Sequence, residues 1–297
     1  MKRQTVLMTA ILMLLSVPLS LPAQEADRQY AALKNITGGL YLVENVQGGN
    51  IVVRVGEEDL LMVDTGAFPG DSPKIAAAIA ELTDKPVRTV VITHWHSDHV
   101  AGNVFWAGKG ATITGHEALT GRLAGKVHMD FFDRDSEPIQ AEGLPKTTFE
   151  GEKTLPGEIR LLHIMPGHTD GDCIVHFKKE NVIHVGDLYF NGLYPYIGVS
   201  SGGSIDGMIG ALTEVLGLIG DDTVVVPGHG PLSDKAGLKE YIRMLSTIRG
   251  NVAALLEAGR TLEEIQAAKP TAEFDEAWGK TWLSGDEFTR LVVMSMS

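Results

Sequence analysis

The sequence predicts an α/β fold in which two β-sheets are covered by helices on both outer faces. Three observations carry this. Strand-like runs fall into two groups along the chain, and helix-like segments follow each group. Glycine-rich turns stand at strand ends, where layered α/β folds gather their sites on loops held by a rigid scaffold. A chain of 297 residues with 44% hydrophobic composition can build one large core, or a domain with a helical extension.

The first segment stands outside that fold. Lys2 and Arg3 precede the apolar run VLMTAILMLLSVPLSL, and Pro22 and Ala23 close it before polar QEADRQY. That order reads as a secretory signal peptide over residues 1–23. As a membrane span it falls short of the ~20 apolar residues required, and Pro18 interrupts it. No cysteine stands near the cleavage point to carry a lipid anchor. The expected mature protein is periplasmic or secreted and has no membrane span. Residues 1–23 carry two cations and no anions, so cleavage moves the net charge from −13 to −15. Such acidity argues against nucleic acid as a partner and leaves a small-molecule substrate. Nothing in the sequence selects an oligomeric state.

Residues 24–232 hold the predicted catalytic domain. From Leu40 to Asp64, LYLVENV, a Gly48-Gly49-Asn50 turn, IVVRV and LLMVD read as hairpins. A helix follows Pro73 in KIAAAIAEL, and the buried strand VRTVVIT ends where a histidine cluster begins. A strand at ATIT and a helix after Gly115 come next, then an irregular acidic stretch from about Asp130 to Gly157. The strands EIRLLHIM, DCIVHFK and NVIHVGD follow, then a helix near Ser204 and the strand TVVVP, ending at Pro227. Residues 233–297 read as a helical extension packed on the same domain and interrupted at KPTAEF. The single cysteine, Cys173, excludes an internal disulfide and is expected buried as a small hydrophobe.

Four strand exits carry histidine or aspartate. In HWHSDH alternate side chains of an extended segment point the same way, so His94 and His96 can face one cation together. Asp98 and His99 follow as the chain turns towards a helix, and can face a neighbouring position. MPGHTDGD exposes His168 on a Pro-Gly turn, HVGDLYF brings Asp187 after a glycine, and VPGHG presents His229 on a second Pro-Gly turn. His94, His96 and His168 make one set, Asp98, His99 and His229 a second, and Asp187 can bridge them. Imidazole and carboxylate suit zinc, with iron or manganese also fitting, so two divalent metal ions are the expected cofactors. The chain lacks the thiolates of a closed structural site, which points to a catalytic centre with an open water position. His116, His128, His163, His176 and His184 read as surface or packing residues, as does Trp95.

HWHSDH, the later PGHT, GD and PGHG turns and the preceding LMVDTG resemble, in order and spacing, the metallo-β-lactamase superfamily over roughly Leu40 to Pro231. The resemblance implies that family's αββα sandwich of two mixed sheets, with a dinuclear centre on the seven residues above and Asp187 as the bridging aspartate of the glyoxalase II-like kind. It also implies that Asp64, in VDTG, supports a site histidine from its far side. A metal pair brings the pKa of a shared water towards neutrality, so a metal-bridging hydroxide is the expected nucleophile. Asp98 is expected to orient it and carry a proton.

β-Lactamases of the superfamily typically carry cysteine or serine where this chain has Asp187, whereas glyoxalase II, lactonases and phosphodiesterases carry aspartate. The expected function is therefore an exported dinuclear hydrolase of an ester, thioester, lactone or related substrate. Two alternatives stand beside it: a β-lactamase acting on β-lactam antibiotics, and an iron-dependent persulfide dioxygenase, which shares the fold but uses one iron. Against glyoxalase II itself stand the export signal and the C-terminal region, where Lys239, Tyr241 and Arg243 are the only close basic-aromatic grouping and read as a surface helix face. The stretch LYFNGLYPYIGVSSGG, with Tyr189, Tyr194 and Tyr196, reads either as pocket lining or as a packed loop.

Overall fold

The computed structural model describes residues 30–296. The segment read as a signal peptide lies outside them. Four antiparallel strands open the fold: β1 (Ala32–Thr37), β2 (Leu40–Glu44), β3 (Ile51–Val55) and β4 (Leu60–Val63). Helix α1 (Ser72–Leu82) then carries the chain to β5 (Val87–Val91), parallel to β4. Two short helices, α2 (Ser97–Val100) and α3 (Asn103–Gly108), lead to β6 (Thr112–His116), and α4 (Ala118–Ala124) follows. The hairpin of β7 (Val127–Met129) and β8 (Arg134–Ser136) belongs to neither large sheet. β9 (Thr147–Phe149) completes the first sheet, ordered β1-β2-β3-β4-β5-β6-β9.

The second sheet runs in chain order through β10 (Glu152–Leu155), β11 (Ile159–Leu162), β12 (Ile174–Phe177), β13 (Val182–His184) and β14 (Val224–Val226). β13 and β14 pair in parallel across the crossover helix α5 (Ile205–Leu218). The chain ends in α6 (Lys235–Glu257), α7 (Leu262–Ala267), α8 (Asp275–Trp278) and α9 (Gly285–Ser295). None of the described helices is long and apolar enough to cross a membrane.

Period-two alternation along the strands builds the layers. Val52, Leu61, Val63 and Val91 of the first sheet meet Leu161, Val175, Phe177 and Val226 of the second in a central core. Their neighbours Val53, Leu60, Met62 and Val90 face the other way, onto Ile75 and Ile79 of α1. On the far side Ile174, Ile183 and Val225 pack with Met208 and Leu212 of α5 and Leu245 and Ile248 of α6. The result is the expected helix–sheet–sheet–helix sandwich, with both sheets mixed.

Three expectations need correction. β1 precedes the expected start at Leu40; its sequence ALKNIT is half-exposed throughout and carries no apolar alternation. The stretch from Asp130 to Gly157 is not irregular: it supplies β8, β9 and β10, whose polar sequences RDS, TTF and EKTL form strands through pairing with neighbours rather than by pattern. The grouping of Lys239, Tyr241 and Arg243 is not one surface face. Tyr241 is fully buried among Leu238, Met244 and Leu245, whereas Arg243 points outward to Glu240 and Glu273 at 2.7 and 2.8 Å.

Candidate metal centre

The seven histidine and aspartate residues come from the segments just after β5, β13 and β14, with Asp98 and His99 in α2, and from the β11–β12 connection. Ligand-type atoms of His94, His96, His168 and Asp187 all lie within 4.8 Å of one another, and so do those of Asp98, His99 and His229. The two groups are the two sets expected from the spacing, with Asp187 falling in the first.

The N-terminal half of the centre hangs on Asp64. This residue, just past β4, adopts φ +60°, a left-handed conformation that costs a non-glycine residue energy and collects at functional sites. Its Oδ1 accepts the Thr93 backbone N–H at 2.8 Å, and its Oδ2 accepts the Thr93 hydroxyl at 2.7 Å. The same Oδ2 lies 2.7 Å from Nδ1 of His99, and the Thr93 oxygen lies 3.1 Å from Nδ1 of His94. With Nδ1 engaged on each ring, Nε2 is left to face inward.

The C-terminal half is held by other carboxylates and carbonyls. His168 Nδ1 stands 2.9 Å from the Tyr196 carbonyl. Asp172 cradles the turn beneath, accepting the backbone N–H groups of His168 at 2.7 Å and Gly167 at 3.2 Å and the Thr169 hydroxyl at 2.6 Å. The His229 loop is tied to the first sheet by Asn50, whose side-chain amide donates to the carbonyls of Pro227 and Gly230, each at 2.9 Å. Two glycines are required by close approach: a Cβ on Gly228 would stand 2.0 Å from Asp187 Oδ1, and one on Gly49 2.1 Å from His99 Cε1.

Asp187 faces both groups. Its Oδ2 lies 3.6 Å from His94 Nε2, 3.4 Å from His168 Nε2 and 3.5 Å from His229 Nε2, and its Oδ1 lies 3.1 Å from His99 Nε2. Asp98 Oδ2 lies 3.2 Å from His229 Nε2. Nitrogens also face nitrogens: His96 Nδ1 and His168 Nε2 stand 2.8 Å apart, and His99 Nε2 and His229 Nε2 3.3 Å.

Burial pushes His94 well below the ordinary imidazole range and His96 down to about 3, so both rings are neutral and can lend lone pairs. Burial acts the same way on His99 and His229, but Asp187 and Asp98 outweigh it, holding His99 well above the usual range and His229 up at about 9. Burial opposes charge on Asp187 too, yet His99 and His229 keep it well below the carboxylate range. Buried carboxylates here demand positive charge. His94 Nε2 is buried without a hydrogen-bond partner, a costly state that a coordinated cation removes. The donor set therefore fits divalent metal, and imidazole nitrogen with carboxylate oxygen is what borderline divalent ions select.

The metallo-beta-lactamase superfamily model matches residues 45–233, and that span contains every group just described. The chain belongs to the metallo-beta-lactamase superfamily. It is a metal-dependent hydrolase of that family. The 2,4-dinitroanisole O-demethylase subunit alpha of Nocardioides sp. (strain JS1661) is 25% identical over 248 residues, 81% of this chain and 71% of the relative. A hydroxyacylglutathione hydrolase of Polaromonas sp. is 29% identical over 154 residues, 51% of this chain and 52% of the relative, so the match spans about half of each. The crystal structure of the DIM-1 metallo-beta-lactamase superposes with a TM-score of 0.60 at 19% identity, covering 73% of this chain and 98% of that one, a likeness of fold.

In this superfamily member the centre opens into a cleft of about 1280 Å³, with His96, Asp98, Asp187 and His229 in its wall. The stretch after Asp187 divides. Phe190, Leu193 and Tyr196 line the cleft, whereas Tyr189 and Tyr194 are core residues whose hydroxyls meet Ser233 at 3.0 Å and Asp275 at 2.9 Å. Trp95 packs in the core as expected and also reaches the cleft wall.

The unassigned histidines stay outside both groups. His116 and His163 stack at 4.0 Å, His128 meets Asp135 at 2.8 Å, and His176 lies within β12. His184 does more than pack: Nε2 stands 3.0 Å from the Asn50 carbonyl, and Nδ1 accepts the Gly186 N–H at 3.1 Å. Sequence reasoning gave no role to Thr93, Asn50 or Asp172. Only Asp172 had a local signal, as a carboxylate four residues after His168 in the same turn.

Proposed function

We propose that this hydrolase is exported, holds two divalent ions, zinc foremost, and cleaves an ester, thioester, lactone or related small molecule. In this reading His94, His96 and His168 hold one ion, Asp98, His99 and His229 the other, and Asp187 both. The observation that carries it is the Asp187 carboxylate, within 3.6 Å of His94 and His168 in one group and of His99 and His229 in the other. Metal bound there supplies Lewis acidity, polarising a carbonyl and making water more acidic. The protein's own groups do the remaining work. The Asp98 side chain is part-exposed in the cleft wall, 3.2 Å from His229 Nε2. A carboxylate so placed can orient incoming water and carry a proton from it to the leaving alkoxide or thiolate.

Aspartate at position 187 supports esterase-like chemistry over the β-lactamase alternative, since lactamases of the family typically place cysteine or serine there. The complete second group, Asp98, His99 and His229, supports a hydrolase over a one-iron dioxygenase. The test is metal analysis of protein purified without added zinc, joined to turnover of thioesters, esters, lactones, phosphodiesters and β-lactams. Close to two divalent ions with ester, thioester or lactone turnover is expected. One iron with persulfide oxidation, or β-lactams as the best substrates, overturns the reading. Export is tested by N-terminal sequencing of the mature protein, expected near Gln24.

A further inference from the structure

The cleft in front of the centre has walls whose chemistry the hydrolytic reading does not yet use. Trp95, Phe105, Phe132, Phe190, Tyr196 and Trp282 give it six aromatic rings. Phe132 sits in the turn of the β7–β8 hairpin, with its ring centroid 4.9 Å from that of Tyr196 and 6.3 Å from that of Trp282. Trp282 comes from the segment between α8 and α9, beyond the superfamily match that ends at residue 233, and 52% of its surface faces water. A hydrated indole on a cleft wall is apolar surface that a bound apolar group removes from water.

Apart from the carboxylates of the centre, the charged lining residues are Arg122, Arg134, Asp135 and Glu137, of which Asp135 meets His128 and Glu137 meets Lys126, each at 2.8 Å. Arg122 is engaged with Asp170 at 2.6 Å, and the Arg134 guanidinium lies 5.0 Å over the Phe132 ring. The volume of about 1280 Å³ exceeds the ~300–1,000 Å³ of ordinary small-molecule pockets.

We propose, resting on the hydrolase reading above, that the preferred substrate is an ester whose acyl part is a large aliphatic group, seated among Phe132, Tyr196 and Trp282. Water adds its hydroxyl to the acyl carbon and the acyl–oxygen bond breaks. One proton passes to the departing alkoxide, and the other is released as the fatty acid product ionises. A small acyl donor leaves the aromatic walls unused.

The test compares p-nitrophenyl acetate, octanoate and dodecanoate on the metal-loaded protein, and separately follows binding of 2-undecanone, which has no ester bond to cleave, by quenching of tryptophan fluorescence. kcat/KM is expected to rise by about tenfold or more from acetate to octanoate. Trp282→Ala and Phe132→Ala are each expected to reduce that ratio about tenfold, mainly through KM, the loss usual for removing a central aromatic contact. Both are expected to weaken ketone binding with or without metal. Trp282 is half-exposed and probes the clamp apart from the core, whereas Phe132 also packs against it, so the Phe132→Ala result counts only where its melting temperature matches the parent's. Acetate turned over as well as octanoate, or ketone affinity unchanged in both variants, overturns the proposal. Ketone binding that the variants weaken, with no ester of any length hydrolysed, keeps the apolar site and overturns the hydrolase reading instead.

Discussion

Asp64 Oδ2 stands 2.7 Å from Nδ1 of His99, with both side chains fully buried. One carboxylate thereby orients His99 directly and His94 through Thr93. Asp64→Asn keeps the shape and removes the charge, and is expected to weaken metal binding by roughly 10- to 100-fold. Asp64→Ala strands the Thr93 hydroxyl and N–H and the His99 ring, and is expected to destabilise the fold by about 3 kcal/mol as well. Chelator competition and chemical denaturation measure the two effects. Unchanged metal affinity in Asp64→Asn means that Asp64 supports the fold alone.

His168 and His229 fall in different groups. His168→Ala and His229→Ala are each expected to lower metal content, by up to one equivalent and at different sites, as read by elemental analysis after gel filtration. Two metals retained by both variants would sink the ligand assignment.

Asp187→Ala is expected to lose most activity on every substrate, because no other described carboxylate reaches both groups. Asp187→Cys and Asp187→Ser place the lactamase-type residue there. Ester or lactone turnover is then expected to fall by a larger factor than any β-lactam turnover. Near-normal turnover with two metals in Asp187→Ala makes the residue a turn former and raises the β-lactamase alternative to first place.

The metal-free protein is expected to respond to pH in a defined direction. The unperturbed value for His229 is 6.5; burial lowers it, but Asp187 and Asp98 outweigh burial and raise it to about 9 in the fold. A group raised in the folded state stabilises fully below 6.5, and that stability is lost as pH climbs through about 9. The melting temperature of chelated protein is therefore expected to drop by several degrees across this window, and His229→Ala to remove His229's share of the drop. With metal bound the direction reverses, because acid protonates the imidazoles and strips the ion. A melting temperature of the chelated protein that is flat or rises over the window contradicts the assignment.

What was legible in the sequence was local. His94, His96, Asp98 and His99 lie within six residues, and His168, Asp187 and His229 each sit in a turn whose glycine or proline announces a strand exit. Asn50 was opaque for the opposite reason: its partners Pro227 and Gly230 lie 177 and 180 positions away, so within its own stretch it is only part of a hairpin turn. Gly49 carries the same lesson, since the ring that excludes a side chain there belongs to His99. The layers were readable from the apolar runs of β3, β4 and β5 but not from β9 or β10, whose polar residues are strands only because neighbours pair with them. Phe132 and Trp282 carry no motif and meet only once the hairpin and the C-terminal helices have packed.

Each group of the centre draws on both halves of the chain: His96 faces His168 across 72 positions, and His99 faces His229 across 130. A cation seated in either group therefore closes a long loop, where a clip removes the most freedom from the unfolded chain. Metal loss then costs more than activity. Removing the ion is expected to unfasten the seam between the two sheets, so that chelated protein is digested by a protease faster than metal-loaded protein and the life of the chain follows the supply of that ion.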